Sequence, residues 1–127
     1  MKVIISGSRS IDRLSSRRWD YAKLGERIEI AVAASGFEIT EVITGGAGGP
    51  DRAGELWAAE HGIAVSTFKP NWRLGKGAAL IANRQLATEG EALIALYDGL
   101  SKGTLDMIEL MRAAGMPVYE HRVSLGE

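Results

Sequence analysis

The chain has 127 residues, of which 46% are hydrophobic and 24% charged, enough to build one compact core and too short for two. Its 15 Lys and Arg against 16 Asp and Glu leave a formal charge of -1, which excludes the large basic excess of a general nucleic-acid coat or a polybasic membrane binder. There is no cysteine, so disulfides, thiolate metal sites and thiol catalysis are excluded as well.

The opening apolar run is too short for a signal peptide, and no stretch nears the roughly 18 apolar residues of a membrane span; a cytoplasmic protein is expected. In chain order, residues 3–5 read as a first strand. Residues 16–34 read as a helix with Tyr21, Leu24, Ile28 and Ala31 on one face. A strand over 39–44 leads to a helix that opens at Pro50 and carries Ala53, Leu56 and Trp57 inward. A strand over 64–68 and a helix over 77–88 follow. Residues 92–97 are almost wholly apolar, as suits a strand buried on both faces. A helix over 104–114, with Leu105, Ile108 and Met111 on one stripe, precedes a last strand over 117–121. Gly36, Gly62, Gly90 and Gly115 each stand between a helix and the next strand, where left-handed backbone is common. The alternation predicts an α/β, Rossmann-like doubly wound parallel sheet of about five strands with helices on both faces, residues 1–127 forming a single domain.

Glycine is the compositional outlier at 16 residues, nearly twice the usual share of roughly 7%. Nine of them fall in the four strand-to-helix connections, 7–10, 45–51, 69–77 and 98–104, at the sheet rim where open α/β folds bind ligands. Gly45, Gly46, Ala47, Gly48 and Gly49 precede a helix N-terminus, so backbone amides and helix dipole could together receive a phosphate. A tight turn that only packs strand on helix would look the same. The spacing matches neither G-x-G-x-x-G nor a P-loop. Gly7, Ser8 and Arg9 add a hydroxyl and a guanidinium suited to a phosphate. Between His61 and Thr88 there is no acid, while Lys69, Arg73, Lys76 and Arg84 are basic. That excess suggests a local anion site, with Trp72 either stacked on a base or covering the core edge. Asn83 and Arg84 lie on the third helix. Asp51, Glu55, Asp98 and Asp106 are the candidate acids, though Asp51 could simply favour a helix dipole. His61 and His121 read as structural; no transition-metal site is expected, and Mg²⁺ held by an aspartate and a phosphate stays open.

Val3-Ile4-Ile5-Ser6-Gly7-Ser8-Arg9 and Ile43-Thr44-Gly45-Gly46-Ala47-Gly48-Gly49-Pro50-Asp51 resemble the opening motifs of the SLOG superfamily. Ala82-Asn83-Arg84, residues 92–99 and Ser101-Lys102-Gly103-Thr104 extend the resemblance, which runs from Lys2 to about Tyr119. That superfamily includes the DNA-processing protein A fold and the lonely-guy phosphoribohydrolases; the small stand-alone YspA-like (cpYpsA-related) branch is the most similar. The resemblance implies a domain that binds nucleotides or nucleotide-derived ligands, often as a homodimer. In the phosphoribohydrolases, an arginine on the third helix and a glutamate in a G-T-x-x-E segment act on the N-glycosidic bond. Arg84 matches the arginine, but Met107 stands where the glutamate should be, and Asp106, one residue early, is turned about 100° away on a helix.

The first functional reading is therefore binding of a nucleotide or nucleotide-derived ligand in a sensing, sequestering or processing role. Gly7, Ser8, Arg9, Gly45 to Gly49, Ser101, Gly103 and Thr104 would hold phosphate and ribose, and Trp72 the base; Asp51, Lys76, Asn83 and Arg84 complete the ligand set. The second is hydrolysis of a nucleoside monophosphate or ADP-ribose-like substrate, with Arg84, Asp51 and Asp98 as the catalytic candidates. The third is single-stranded DNA binding. A homo-oligomer is expected, with Trp19, Tyr21 and Met116 as candidate contacts.

Overall fold

The computed structural model describes residues 1–8 and 21–123, except for the side chains of residues 21 and 22. Arg9, Trp19, the Tyr21 side chain and the expected start of the first helix lie outside what is described. Strands β1 (Lys2–Gly7), β2 (Glu41–Thr44), β3 (Ala64–Thr67), β4 (Ala92–Tyr97) and β5 (Val118–Arg122) form one parallel sheet in the order β3-β2-β1-β4-β5. They are linked through helices α1 (Tyr21–Ser35), α2 (Pro50–Glu60), α3 (Ala78–Glu89) and α4 (Lys102–Ala113), with a 3₁₀ segment, Trp72–Gly77, leading into α3. This is the expected Rossmann-like arrangement. Among the described residues no helix is long and apolar enough to cross a membrane.

The two-residue period of β1 assigns the layers. Val3 and Ile5 face Leu24 and Ile28 of α1 and Ala53 and Trp57 of α2. Ile4 faces the opposite way, with Leu86 of α3 and Met107, Ile108 and Met111 of α4. Every residue of β4 is buried, the consequence of helices on both sides. Full burial of each such Ile, Leu or Met contributes about 1.5–3 kcal/mol.

β1 is the hinge of the topology. Val3 pairs with Val42 on one side and Ala92 on the other. The chain builds outward through β2 and β3, then returns to lay β4 against the opposite edge of β1. The connections beyond neighbouring strands thus lead to helices on opposite faces, and a crevice opens at the carboxyl ends.

Three local expectations need correction. Gly90 is extended (φ −86°, ψ 149°) rather than left-handed. It is small because a Cβ there would collide with the Ile4 side chain; Gly36, Gly62 and Gly115 do take positive φ. Leu105 is 41% exposed. Helix α4 begins at Lys102 with Ser101 as its N-cap, and its buried stripe is Thr104, Met107, Ile108 and Met111, which leaves Leu105 rotated about 100° out of it. Leu56 is only half-buried, and Trp57 and Ala58 carry that contact instead.

Candidate functional site

A cavity of about 360 Å³ lies over the carboxyl ends of β1 and β2, within the roughly 300–1,000 Å³ of small-molecule sites. Ser6 and Gly7 form its floor at the end of β1, and Gly45, Gly46, Ala47 and Gly48 one wall. Asp51 of α2 and the Lys69, Pro70 and Trp72 side chains close a second wall. Ala79, Ala82, Asn83 and Leu86 of α3 and Ser101, Gly103 and Thr104 of α4 close the third.

Gly7 is there for close approach. A Cβ on it would lie 2.7 Å from Pro50 Cβ and 2.5 Å from the Leu96 carbonyl oxygen, so the end of β1 could not pass between α2 and β4. The glycine loop is organised from within. Asp51, buried in the first turn of α2, accepts the Gly45 N–H at 3.1 Å and the Ala47 N–H at 3.3 Å through the same oxygen, Oδ2. The Gly46 N–H donates to Thr44 Oγ1 at 3.3 Å. Beneath them, Glu55 Oε2 accepts the hydroxyls of both Thr44 and Thr67 and so ties β2 to β3. The first three amides of the loop therefore bond to the protein itself. This corrects the expectation that they are offered to a phosphate: the acid that follows the loop folds back and takes two of them.

The Gly48 N–H has no partner among the described residues, and the N-terminus of α4 adds further amides beside the cavity. Ser101 Oγ accepts the Thr104 N–H at 3.4 Å and the Thr104 hydroxyl at 3.2 Å, which leaves its own proton for the cavity it lines. The Lys102 and Gly103 N–H groups, in the first turn, have no partner inside the helix and none among the described residues. Lys69 is the one cation lining the cavity among the described residues.

Eleven of the residues expected at the site from sequence line this cavity: Gly7, Gly45, Gly46, Ala47, Gly48, Asp51, Trp72, Asn83, Ser101, Gly103 and Thr104. Five stand outside it. Ser8 is wholly buried, and its hydroxyl donates to Asp98 Oδ1 at 3.0 Å. Asp98 Oδ1 also accepts the Leu100 and Ser101 N–H groups, each at 2.8 Å, so that oxygen shapes the loop before α4 rather than facing a substrate. Gly49 is buried as the N-cap of α2, with φ 69°. Lys76 is exposed on the 3₁₀ segment. Arg84 is exposed on α3: its neighbour Asn83 faces the cavity, and one residue turns a helix by about 100°. Arg9 lies outside the described residues. Met107, at the position of the hydrolase glutamate, is buried in the core beneath α4.

Lys69, one of the four cations of the acid-free stretch, also lines the cavity, as do Ser6, Pro70, Ala79, Ala82 and Leu86, which the sequence does not single out for it. For Lys69 the available signal is its place in the acid-free basic stretch; the small residues Ala79 and Ala82 give none beyond leaving room. Among the described residues no group of three or more His, Asp or Glu side chains gathers as a metal site would require.

The model of the YspA, cpYpsA-related SLOG family matches residues 1–75, more than half of the 127-residue chain. The chain belongs to this SLOG family. Its membership carries a nucleotide-related ligand-binding or processing role in the broad sense. No curated protein and no solved structure shows significant similarity to the chain. The SLOG match takes in β1 to β3, the glycine loop, Asp51, Lys69 and Trp72, and stops short of Tyr119, to which the motif resemblance runs. The walls contributed by α3 and α4 come from residues beyond the match.

Proposed function

We propose that the cavity binds a nucleotide or nucleotide-derived small molecule, in a sensing, sequestering or processing role. The observation that carries this reading is the convergence, on one 360 Å³ cavity, of the α4 N-terminus, Lys69 and Trp72. Phosphate would sit on the Lys102 and Gly103 amides and the Ser101 hydroxyl, where the helix dipole favours an anion. Lys69 would neutralise it, and Trp72, 62% exposed, would stack on the base. Residues 1–127 act in this reading as one SLOG unit, and a homo-oligomer accords with the exposed Ile30, Leu80 and Ile81.

Native mass spectrometry after incubation with AMP, cyclic AMP, NAD and ADP-ribose tests it. An intact ligand retained on the wild-type chain and lost from Lys69→Gln and Trp72→Ala is the expected result. Binding that ignores both substitutions would sink the assignment of this cavity. The same spectrum reports subunit number. Release of free base would instead mark a hydrolase, with Asp51 the one carboxylate lining the cavity among the described residues. A steep loss of affinity with salt, for a short single-stranded DNA, would move the reading to nucleic acid.

A further inference from the structure

The side-chain amide of Asn83 is fixed in orientation. Its Nδ2 donates to the Gly103 carbonyl at 3.1 Å and to Asp106 Oδ2 at 3.0 Å. A carbonyl oxygen and a carboxylate oxygen only accept, so the reversed amide would set oxygen against oxygen at both contacts. Nδ2 carries two N–H bonds, and both have partners. Oδ1 is the polar atom of Asn83 that remains for the cavity this residue lines, and none of the described residues donates to it.

We infer that Asn83 presents a locked hydrogen-bond acceptor to the ligand, that Asp106 is the positioning residue that locks it, and that the ligand must bring an O–H or N–H donor to this point. The inference rests on the reading of the cavity as a nucleotide site and adds a selectivity to it. Asp106 itself stays outside the cavity and acts through Asn83. A nucleotide offers two sources of such a donor, a ribose hydroxyl and an exocyclic amino group. The ribose hydroxyl is favoured, because Gly103, bonded to Asn83, belongs to the helix turn proposed to hold the phosphate. A half-buried acceptor that a ligand covers without a donor loses its bond to water and gains nothing in exchange. That mismatch is the physical origin of the selectivity.

A strut that merely ties α3 to α4 would also use these two hydrogen bonds, and the test separates the two roles. Affinities of AMP, 2′-deoxy-AMP, 3′-deoxy-AMP and IMP would be measured by calorimetry for the wild-type chain, Asp106→Asn and Asn83→Leu, with melting temperatures as a check on folding. The wild-type chain is expected to favour AMP about tenfold or more over the analogue that lacks the matching donor. A deoxy analogue in that place identifies the ribose, and IMP the amino group. In Asp106→Asn the new amide can itself donate to a reversed Asn83, which leaves the Gly103 carbonyl as the one contact against reversal, and the preference should shrink without vanishing. Asn83→Leu should abolish it. A strut predicts lower melting temperatures with the preference intact, and that result overturns the inference while leaving the cavity reading in place. Equal affinities for all four nucleotides in the wild-type chain overturn it too. Failure of every nucleotide to bind overturns the cavity reading, and this inference with it.

Discussion

Lys69 crosses Gly46 so closely that a Cβ on the glycine would lie 2.8 Å from the lysine Cγ. The same Cβ would meet Thr67 Cγ2 at 2.8 Å, and Gly46 has φ 75°. Alanine at 46 therefore meets two obstacles, a left-handed backbone worth about 1–2 kcal/mol and a collision that displaces the cavity cation. Gly46→Ala is expected to lose about 1–3 kcal/mol of stability in urea unfolding and to weaken AMP binding. Unchanged stability would contradict the close packing of Lys69 on the loop.

Asp51 is a second point of control over the same loop. With alanine in its place the Gly45 and Ala47 N–H groups lose their acceptor, a loss of about 1–3 kcal/mol. Asp51→Asn keeps one side-chain oxygen as an acceptor and should recover a large part of that loss. If chemical denaturation shows no loss in the alanine variant, the Asp51 carboxylate is not what holds the loop.

Two helical glycines should respond to alanine with opposite signs. A Cβ on Gly25, inside α1, would meet nothing within 4 Å, so Gly25→Ala should gain about 0.5–1 kcal/mol from backbone entropy. A Cβ on Gly54, inside α2, would lie 2.7 Å from Ile5 Cγ2. The same entropic gain is outweighed there by overpacking, and Gly54→Ala should lose about 1–3 kcal/mol. Thermal melts of the pair check this directly; melting shifts of like sign would contradict the packing of α2 on β1.

Trp72 should separate binding from folding. It is 62% exposed and belongs to a 3₁₀ segment with no buried residue, so Trp72→Ala should change stability by no more than about 0.5 kcal/mol. Loss of a stacked base should weaken nucleotide binding by about 1–3 kcal/mol. Calorimetric titration with AMP gives the second number, and an affinity equal to wild type would remove Trp72 from the site.

The strands and the glycine-rich rim are legible in the sequence because apolar runs and glycine spacing are properties of neighbouring residues. The residues that depend on helix phase are less so. Asn83 and Arg84 differ by one step along α3, and which of them meets the cavity depends on a rotation that no local pattern records. Asp98 resembles a ligand-facing acid because it follows a strand. Its use as a clamp for the Ser8 hydroxyl, 90 positions away, follows only from the strand order. Lys69 is visible as part of a charge excess, but nothing local distinguishes it from Arg73 or Lys76. Asp51 reads from sequence as a dipole partner or a catalytic acid; its grip on two amides needs the loop to curl back by four to six residues, which the glycines permit without announcing.

The position of β1 between β2 and β4 bears on how the chain is made. β1 is made before both of its neighbours: it is half-paired once β2 arrives, but its other edge waits for residues 92–96. Until then Val3, Ile4 and Ile5 lie beside an open row of backbone donors and acceptors, a template for adhesion to other chains. A fragment cut at residue 75, where the SLOG match ends, would carry that open edge permanently. Pairing of β1 on both edges thus requires residues 92–96, and an exposed β1 edge is what a truncation before β4 would leave for other chains to pair with.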